Sequence, residues 1–155
     1  MDTAQGRVCR SFSTLLTAFK LYADFHTAVS LKLLEAGGDT LLIDCHSFSA
    51  QPNLLNAEPS EIDICIGYND DDSCPPRTTI DTIAHHFASS GYEIGINVPF
   101  SNAKTFAVPA PYHSVMIEVN KRLYMNEQTL QKSAEFERLQ QDIQSLYDGL
   151  AKRES

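Results

Sequence analysis

Asp44 and His46 stand two residues apart at the end of an apolar run, Leu41-Leu-Ile-Asp-Cys-His-Ser-Phe48. A short continuous apolar run reads as a buried strand of an α/β sheet, and polar chemistry in such sheets gathers where strands end. Side chains alternate across a strand, so the two point to one face. A carboxylate beside an imidazole suits metal binding or acid–base work, while the alternative is a histidine packed and hydrogen-bonded near the core. A second candidate is Glu118, inside Ser114-Val-Met-Ile-Glu-Val-Asn120. There Val115, Ile117 and Val119 face one way, and Met116 and Glu118 the other. A glutamate in a buried strand is costly unless it is paired, ligated or functional, and a salt bridge to a Lys or Arg is its simplest structural explanation.

Other chemistry-bearing residues carry less. Cys45 adjoins His46, but neighbours in a strand face opposite ways, which disfavours a nucleophile–base pair. There is no Gly-x-Ser-x-Gly elbow for a serine hydrolase. Asp70, Asp71 and Asp72 lie in a Pro- and Asn-containing stretch without the Gly and terminal Glu of a calcium loop, so a solvated turn is expected. Adjacent His85 and His86 splay apart on a helix and cannot chelate together. His26 sits at the margin of an apolar stripe.

The bulk properties narrow the function classes. The chain has 155 residues, 43% hydrophobic and 21% charged, with a formal net charge of −8. It is expected to form a single α/β domain over 1–155. A phosphate backbone or an anionic membrane demands a positive footprint, so neither is an expected partner. No apolar run approaches a membrane span, and no signal-peptide layout opens the chain. Cys9, Cys45, Cys65 and Cys74 form no Cys-x-x-Cys pair. Cys45 and Cys65 read as small buried hydrophobes in a reducing compartment, and the cytoplasm is expected.

The elements that would position these residues follow from periodicity. After a loose lead-in over Met1 to Arg10, Leu15, Leu16, Phe19, Tyr22, Phe25, Val29 and Leu33 recur at helical spacing up to Gly37-Gly38. The strand ending at His46 follows, then a loop from Ser47 to Ser60 containing Pro52 and Pro59. Ile62 to Gly67 predicts a second strand. Thr78 or Thr79 is the expected cap of a helix bearing Ile80, Ile83, Ala84 and Phe87, closing near Gly91. Tyr92 to Asn97 predicts a third strand, and the strand carrying Glu118 a fourth. From Asn126 onward a helix is expected, with Phe136, Leu139, Ile143, Leu146, Tyr147 and Leu150 along its buried stripe. The order helix, strand, strand, helix, strand, strand, helix implies an α/β sandwich with helices covering a mixed sheet.

Set side by side, Tyr22-x-x-Phe-His26, Ile43-Asp-Cys-His-Ser-Phe48, Asp63-Ile-Cys-Ile-Gly67, Asn97-Val-Pro-Phe-Ser101 and Met116-Ile-Glu-Val-Asn-Lys-Arg-Leu-Tyr-Met125 form an ordered set of motifs. It resembles the N-formylglutamate amidohydrolase family, a branch of the zinc carboxypeptidase-like hydrolases, over roughly Phe19 to Leu150. The resemblance implies a three-layer, phosphorylase/hydrolase-like α/β sandwich. It also implies hydrolysis of the N-formyl, or a related N-acyl, amide of an acidic amino acid. In that reading His46 is a zinc ligand and Glu118 the general base. Asn97, Ser101 and Arg122 bind substrate, and Asp44, Ser47 and Tyr124 support the site from behind.

Two departures qualify the resemblance. Phe100-Ser-Asn-Ala103 stands where the family commonly has Tyr-Ser-Gly-Gly, so larger side chains would narrow or reshape the pocket. The family's His-Ser-Gly and acidic segments, which supply further metal ligands, have no counterpart in Met1 to Arg10. One histidine cannot hold a catalytic zinc. The chain therefore resembles the C-terminal, N-terminally truncated part of such an enzyme. Either a second chain or a missing N-terminal segment completes the metal site, or the chain is an inactive homologue that serves as a binding or interaction module.

Overall fold

The computed structural model describes residues 12–38, 40–52, 60–109 and 111–152, and the side chains from residue 16 onward. Cys9, the lead-in, Leu15 and Pro59 fall outside that description. The elements run α1 (Phe12–Ala36), β1 (Thr40–Phe48), β2 (Ile64–Gly67), α2 (Arg77–Ser89), β3 (Ile94–Ile96), β4 (Tyr112–Asn120), a 3-10 turn (Lys121–Leu123) and α3 (Phe136–Ala151). No helix among the described residues is long and apolar enough to cross a membrane. The chain groups into two compact units. One holds residues 1–40 and 106–111, the other 41–105 and 112–155.

In the first unit α1 ends at Gly37 and Gly38, whose φ angles of 60° and 61° suit glycine at a helix C-terminus. The apolar stripe of α1 is not the buried face expected from its spacing. Leu16, Phe19, Tyr22 and Phe25 are exposed, and Leu33 is buried. Within this unit the stripe packs locally: the Phe106 ring lies 6.1 Å from Phe25 and 5.0 Å from His26, which is itself 4.1 Å from Tyr22.

The second unit is built on a mixed sheet ordered β1-β4-β2-β3. β2 is parallel to β3 and antiparallel to β4, with Ile64 opposite Val119, Cys65 opposite Glu118 and Ile66 opposite Ile117. The alternation sorts the sheet into two chemically distinct faces. Ile64, Ile66, Val115, Ile117 and Val119 meet Ile83 and Phe87 of α2 and Leu139 and Leu146 of α3 in one core. Each such side chain contributes roughly 1.5–3 kcal/mol by leaving water. Cys65, Met116 and Glu118 are left on the opposite face.

Three local expectations are corrected. Helix α2 is capped by Pro76 rather than a threonine: the Pro76 carbonyl accepts from Thr79 N and Ile80 N, and proline fixes the φ that the cap needs. Residues 126–135 are not helical. Asn126 Oδ1 accepts from both Gln128 N and Thr129 N, and Leu130 has a φ of 59°. An Asx turn and a left-handed residue both end helical propagation. Finally, Cys45 is exposed rather than buried, because β1 is outermost in the sheet.

Candidate functional site

β1 delivers Asp44 and His46 to one face, as its alternation requires. His46 Nε2 lies 2.9 Å from Asp44 Oδ1. An ionised carboxylate only accepts, so Nε2 carries the proton and, in the neutral ring, Nδ1 keeps its lone pair. The other Asp44 oxygen, Oδ2, accepts from Lys104 N at 3.0 Å. Asp44 therefore orients the imidazole and ties β1 to the segment after β3. Cys45 points the other way, its Sγ 3.2 Å from Tyr147 Oη of α3, which removes it as a partner of His46.

Glu118 comes from the adjacent strand, β4. It is only 8% exposed, and its Oε2 has no hydrogen-bond partner. The salt bridge that would have made it purely structural is therefore missing at that oxygen among the described residues. Burial pushes its carboxyl above the ordinary glutamate value; nearby His46 pulls it down, Asp44 pushes it up, and Lys121 pulls it down. β1 and β4 are neighbours in the sheet, which brings His46 and Asp44 close enough to Glu118 to bear on its charge.

The segment 97–104 borders the same face and is fastened to it at several points. Asn97 N donates to Ile66 O at 2.8 Å, and Asn97 Oδ1 accepts from Tyr68 N at 2.9 Å. Asn97 tolerates the required φ of 54°. Ala103 N donates to Asn69 Oδ1 at 3.2 Å, and Phe100 stacks edge-on against Phe48 at 5.3 Å. Gly67 makes the close approach possible, since a Cβ there would lie 2.7 Å from the Asn102 carbonyl. Ser101 is exposed on this segment.

The remaining candidates are placed differently. Arg122 grips the entry to β2: its guanidinium reaches Asp63 Oδ1 at 2.8 Å, Glu61 O at 2.6 Å and Glu61 Oε2 at 3.4 Å. Ser47 and Tyr124 line a cavity of about 730 Å³ on the α3 side, together with Val119, Phe136 and Leu139. His46 also lines that cavity, whereas Glu118 does not. Ser47 and Tyr124 thus sit with Cys45 on the α3 side of the sheet, away from Glu118. The spacing of motifs did not single out Cys65, although it faces Glu118 across the β2–β4 pair. The alternation within Asp63–Gly67, paired with that of Met116–Asn120, is the signal that would have found it.

Among the described residues no three His, Cys, Asp or Glu side chains gather as a metal-holding group. A catalytic zinc takes three protein ligands, so Asp44, His46 and Glu118 do not fit one by themselves. Their arrangement nevertheless suits proton transfer, with a buried carboxyl beside an oriented imidazole and a fastened segment alongside.

No curated protein matches the chain. Among solved structures, the N-formylglutamate amidohydrolase of Ralstonia eutropha JMP134 aligns with a TM-score of 0.69 at 24% identity, over 85% of this chain and 50% of that one. A gene product of Agrobacterium tumefaciens aligns with a TM-score of 0.51 at 17% identity, over 83% of this chain and 50% of that one. The chain thus spans about half the length of both, and at these identities the likeness speaks to the fold, a mixed-sheet α/β architecture. The family model of N-formylglutamate amidohydrolase matches residues 16–125. That stretch carries Asp44, His46, the 97–104 segment and Glu118 together, and the chain belongs to the N-formylglutamate amidohydrolase family.

Proposed function

We propose that the chain provides the acid–base half of an amidohydrolase that cleaves the N-formyl, or a related N-acyl, amide of an acidic amino acid. The observation that carries this reading is Glu118: buried, with one oxygen unpartnered, on the face that also bears the Asp44–His46 pair. In amide hydrolysis water adds to the carbonyl carbon and the C–N bond then breaks. Glu118 would take the proton from the attacking water and return it to the departing nitrogen. Burial favours the proton-holding form of Glu118, which suits the second transfer. His46, oriented by Asp44, would hold the reacting group beside that carboxyl.

Zinc, the expected cofactor, would polarise the carbonyl and acidify water when bound. In this reading His46 contributes one ligand, and the others come from a second chain or from residues beyond those described. For substrate we assign Ser101 as a direct contact and Asn97 as the residue that shapes its segment. The substrate carboxylate would go to Arg122 by displacing Glu61, whose carboxylate contact at 3.4 Å is longer than that of Asp63 at 2.8 Å and whose side chain is 92% exposed. Three free cysteines among the described residues accord with a cytoplasmic, reducing setting.

The test is formate release from N-formylglutamate, measured with zinc and the complementing segment present. Glu118→Gln should lower kcat by about 10²–10⁴-fold, the usual worth of a general base, and His46→Ala should lower retained zinc. Hydrolysis undiminished by Glu118→Gln would refute the assignment. The alternative, an inactive binding module, is favoured by the lack of a three-ligand metal group among the described residues. It predicts binding of N-formylglutamate without formate release.

A further inference from the structure

Cys65 plays no part in the proton transfers above, yet its position is unusual. It is fully buried, it sits directly opposite Glu118 in the antiparallel β2–β4 pair, and its thiol donates to the Phe100 carbonyl at 3.1 Å. Directly opposed residues share a face and stand about 4.5–5.5 Å apart at Cβ, so one point on the sheet carries both Glu118 and the tether of the neighbouring segment. The other ties of that segment lie towards its ends, at Asn97, Ala103 and Lys104. Phe100, between them, is held by the Cys65 thiol and by the edge of Phe48.

We propose that Cys65 is a positioning residue: its thiol fixes the middle of the 97–104 segment relative to Glu118, and so sets the gap in which an amide must lie. The proposal rests on the hydrolase reading for its consequence but not for its test. Serine preserves a donor at this place and alanine removes it. Threonine and valine form a second pair, matched in shape, that differ only in the hydroxyl.

The experiment is hydrogen exchange of the full chain, read at the Ala103 and Lys104 amides, whose acceptors are the side chains of Asn69 and Asp44, with the β4 amides as the internal reference. Cys65→Ala should speed exchange at 103 and 104 by about two- to fivefold, the worth of one weak thiol hydrogen bond. It should leave β4 unchanged, and Cys65→Ser should restore the slow rate. The same ordering is expected for Cys65→Val against Cys65→Thr should the smaller pair fold poorly. Equal exchange in the donor and non-donor members of a folded pair would overturn the proposal, as would acceleration spread evenly over β4. If the chain hydrolyses N-formylglutamate, Cys65→Ala should raise KM more than it lowers kcat, with rescue in Cys65→Ser. If it hydrolyses nothing, the exchange result still decides.

Discussion

Asn120 ends β4 two residues beyond Glu118 and is fully buried. Its Nδ2 donates to Ile62 O at 2.9 Å and reaches Ser60 O at 3.5 Å, while its Oδ1 accepts from Arg122 N at 3.2 Å. Asn120→Ala deletes two well-formed bonds and one marginal bond, and it strands a carbonyl and an amide where water has poor access. At about 1 kcal/mol per net hydrogen bond, and more for a stranded buried partner, the loss should be about 2–4 kcal/mol. With a urea m-value of about 2 kcal/mol/M, the unfolding midpoint should fall by about 1–2 M with m unchanged. Asn120→Asp separates the donor from the acceptor: it keeps an acceptor for Arg122 N but turns a carboxylate towards the Ile62 carbonyl. That placement raises the folded-state pKa of the new aspartate. Its stability contribution is then fully present below the unfolded value of about 3.9 and lost as pH rises through the folded one. Asn120→Asp should therefore approach the parent near pH 4 and fall furthest behind it near pH 7. A midpoint shift under about 0.3 M for Asn120→Ala, or a deficit of Asn120→Asp that does not change with pH, would refute the argument.

Further outcomes follow from the same structure. Burial raises the Glu118 carboxyl above its ordinary value of 4.5. Its stabilising contribution is thus present below pH 4.5 and lost as pH rises through the folded value, so Glu118→Gln should be more stable than the parent at neutral pH and equal to it near pH 4 in urea melts. Tyr147 is pushed up to about 12, first by burial and then by Cys45. Stability should decline with rising pH between about 10 and 12, and Tyr147→Phe should flatten that decline. A Cβ on Gly95 would collide with the Val98 carbonyl. Gly95→Ala should displace the 97–104 segment, visible as faster exchange of the Lys104 amide, before it disturbs the helical core.

The order of elements was legible because each carries its own period: α2 and α3 bury the stripes their spacing marks, and β4 sorts Val115, Ile117 and Val119 from Glu118. The pairing of Asp44 with His46 was equally legible, since strand alternation alone puts them together. Residues 126–135 were not, because the Asn126 turn is decided by side-chain acceptance of backbone amides rather than by apolar spacing. The exposure of Cys45 depends on which strand lies outermost, and that is a property of sheet order rather than of local sequence. Arg122 takes its substrate role from the family resemblance alone. Its engagement with Asp63 becomes visible only once the antiparallel register brings the end of β4 beside the entry to β2.

The two arms of the candidate site do not share one mechanical fate. Glu118 rides on an interior strand flanked on both sides, whereas Asp44 and His46 ride on β1, which has a single hydrogen-bonded neighbour among the described strands. Peripheral strands open through low-energy fluctuations that interior ones resist. In dilute denaturant the imidazole arm should therefore detach while the carboxyl arm is still native, so that faster exchange of the β1 amides precedes loss of ellipticity.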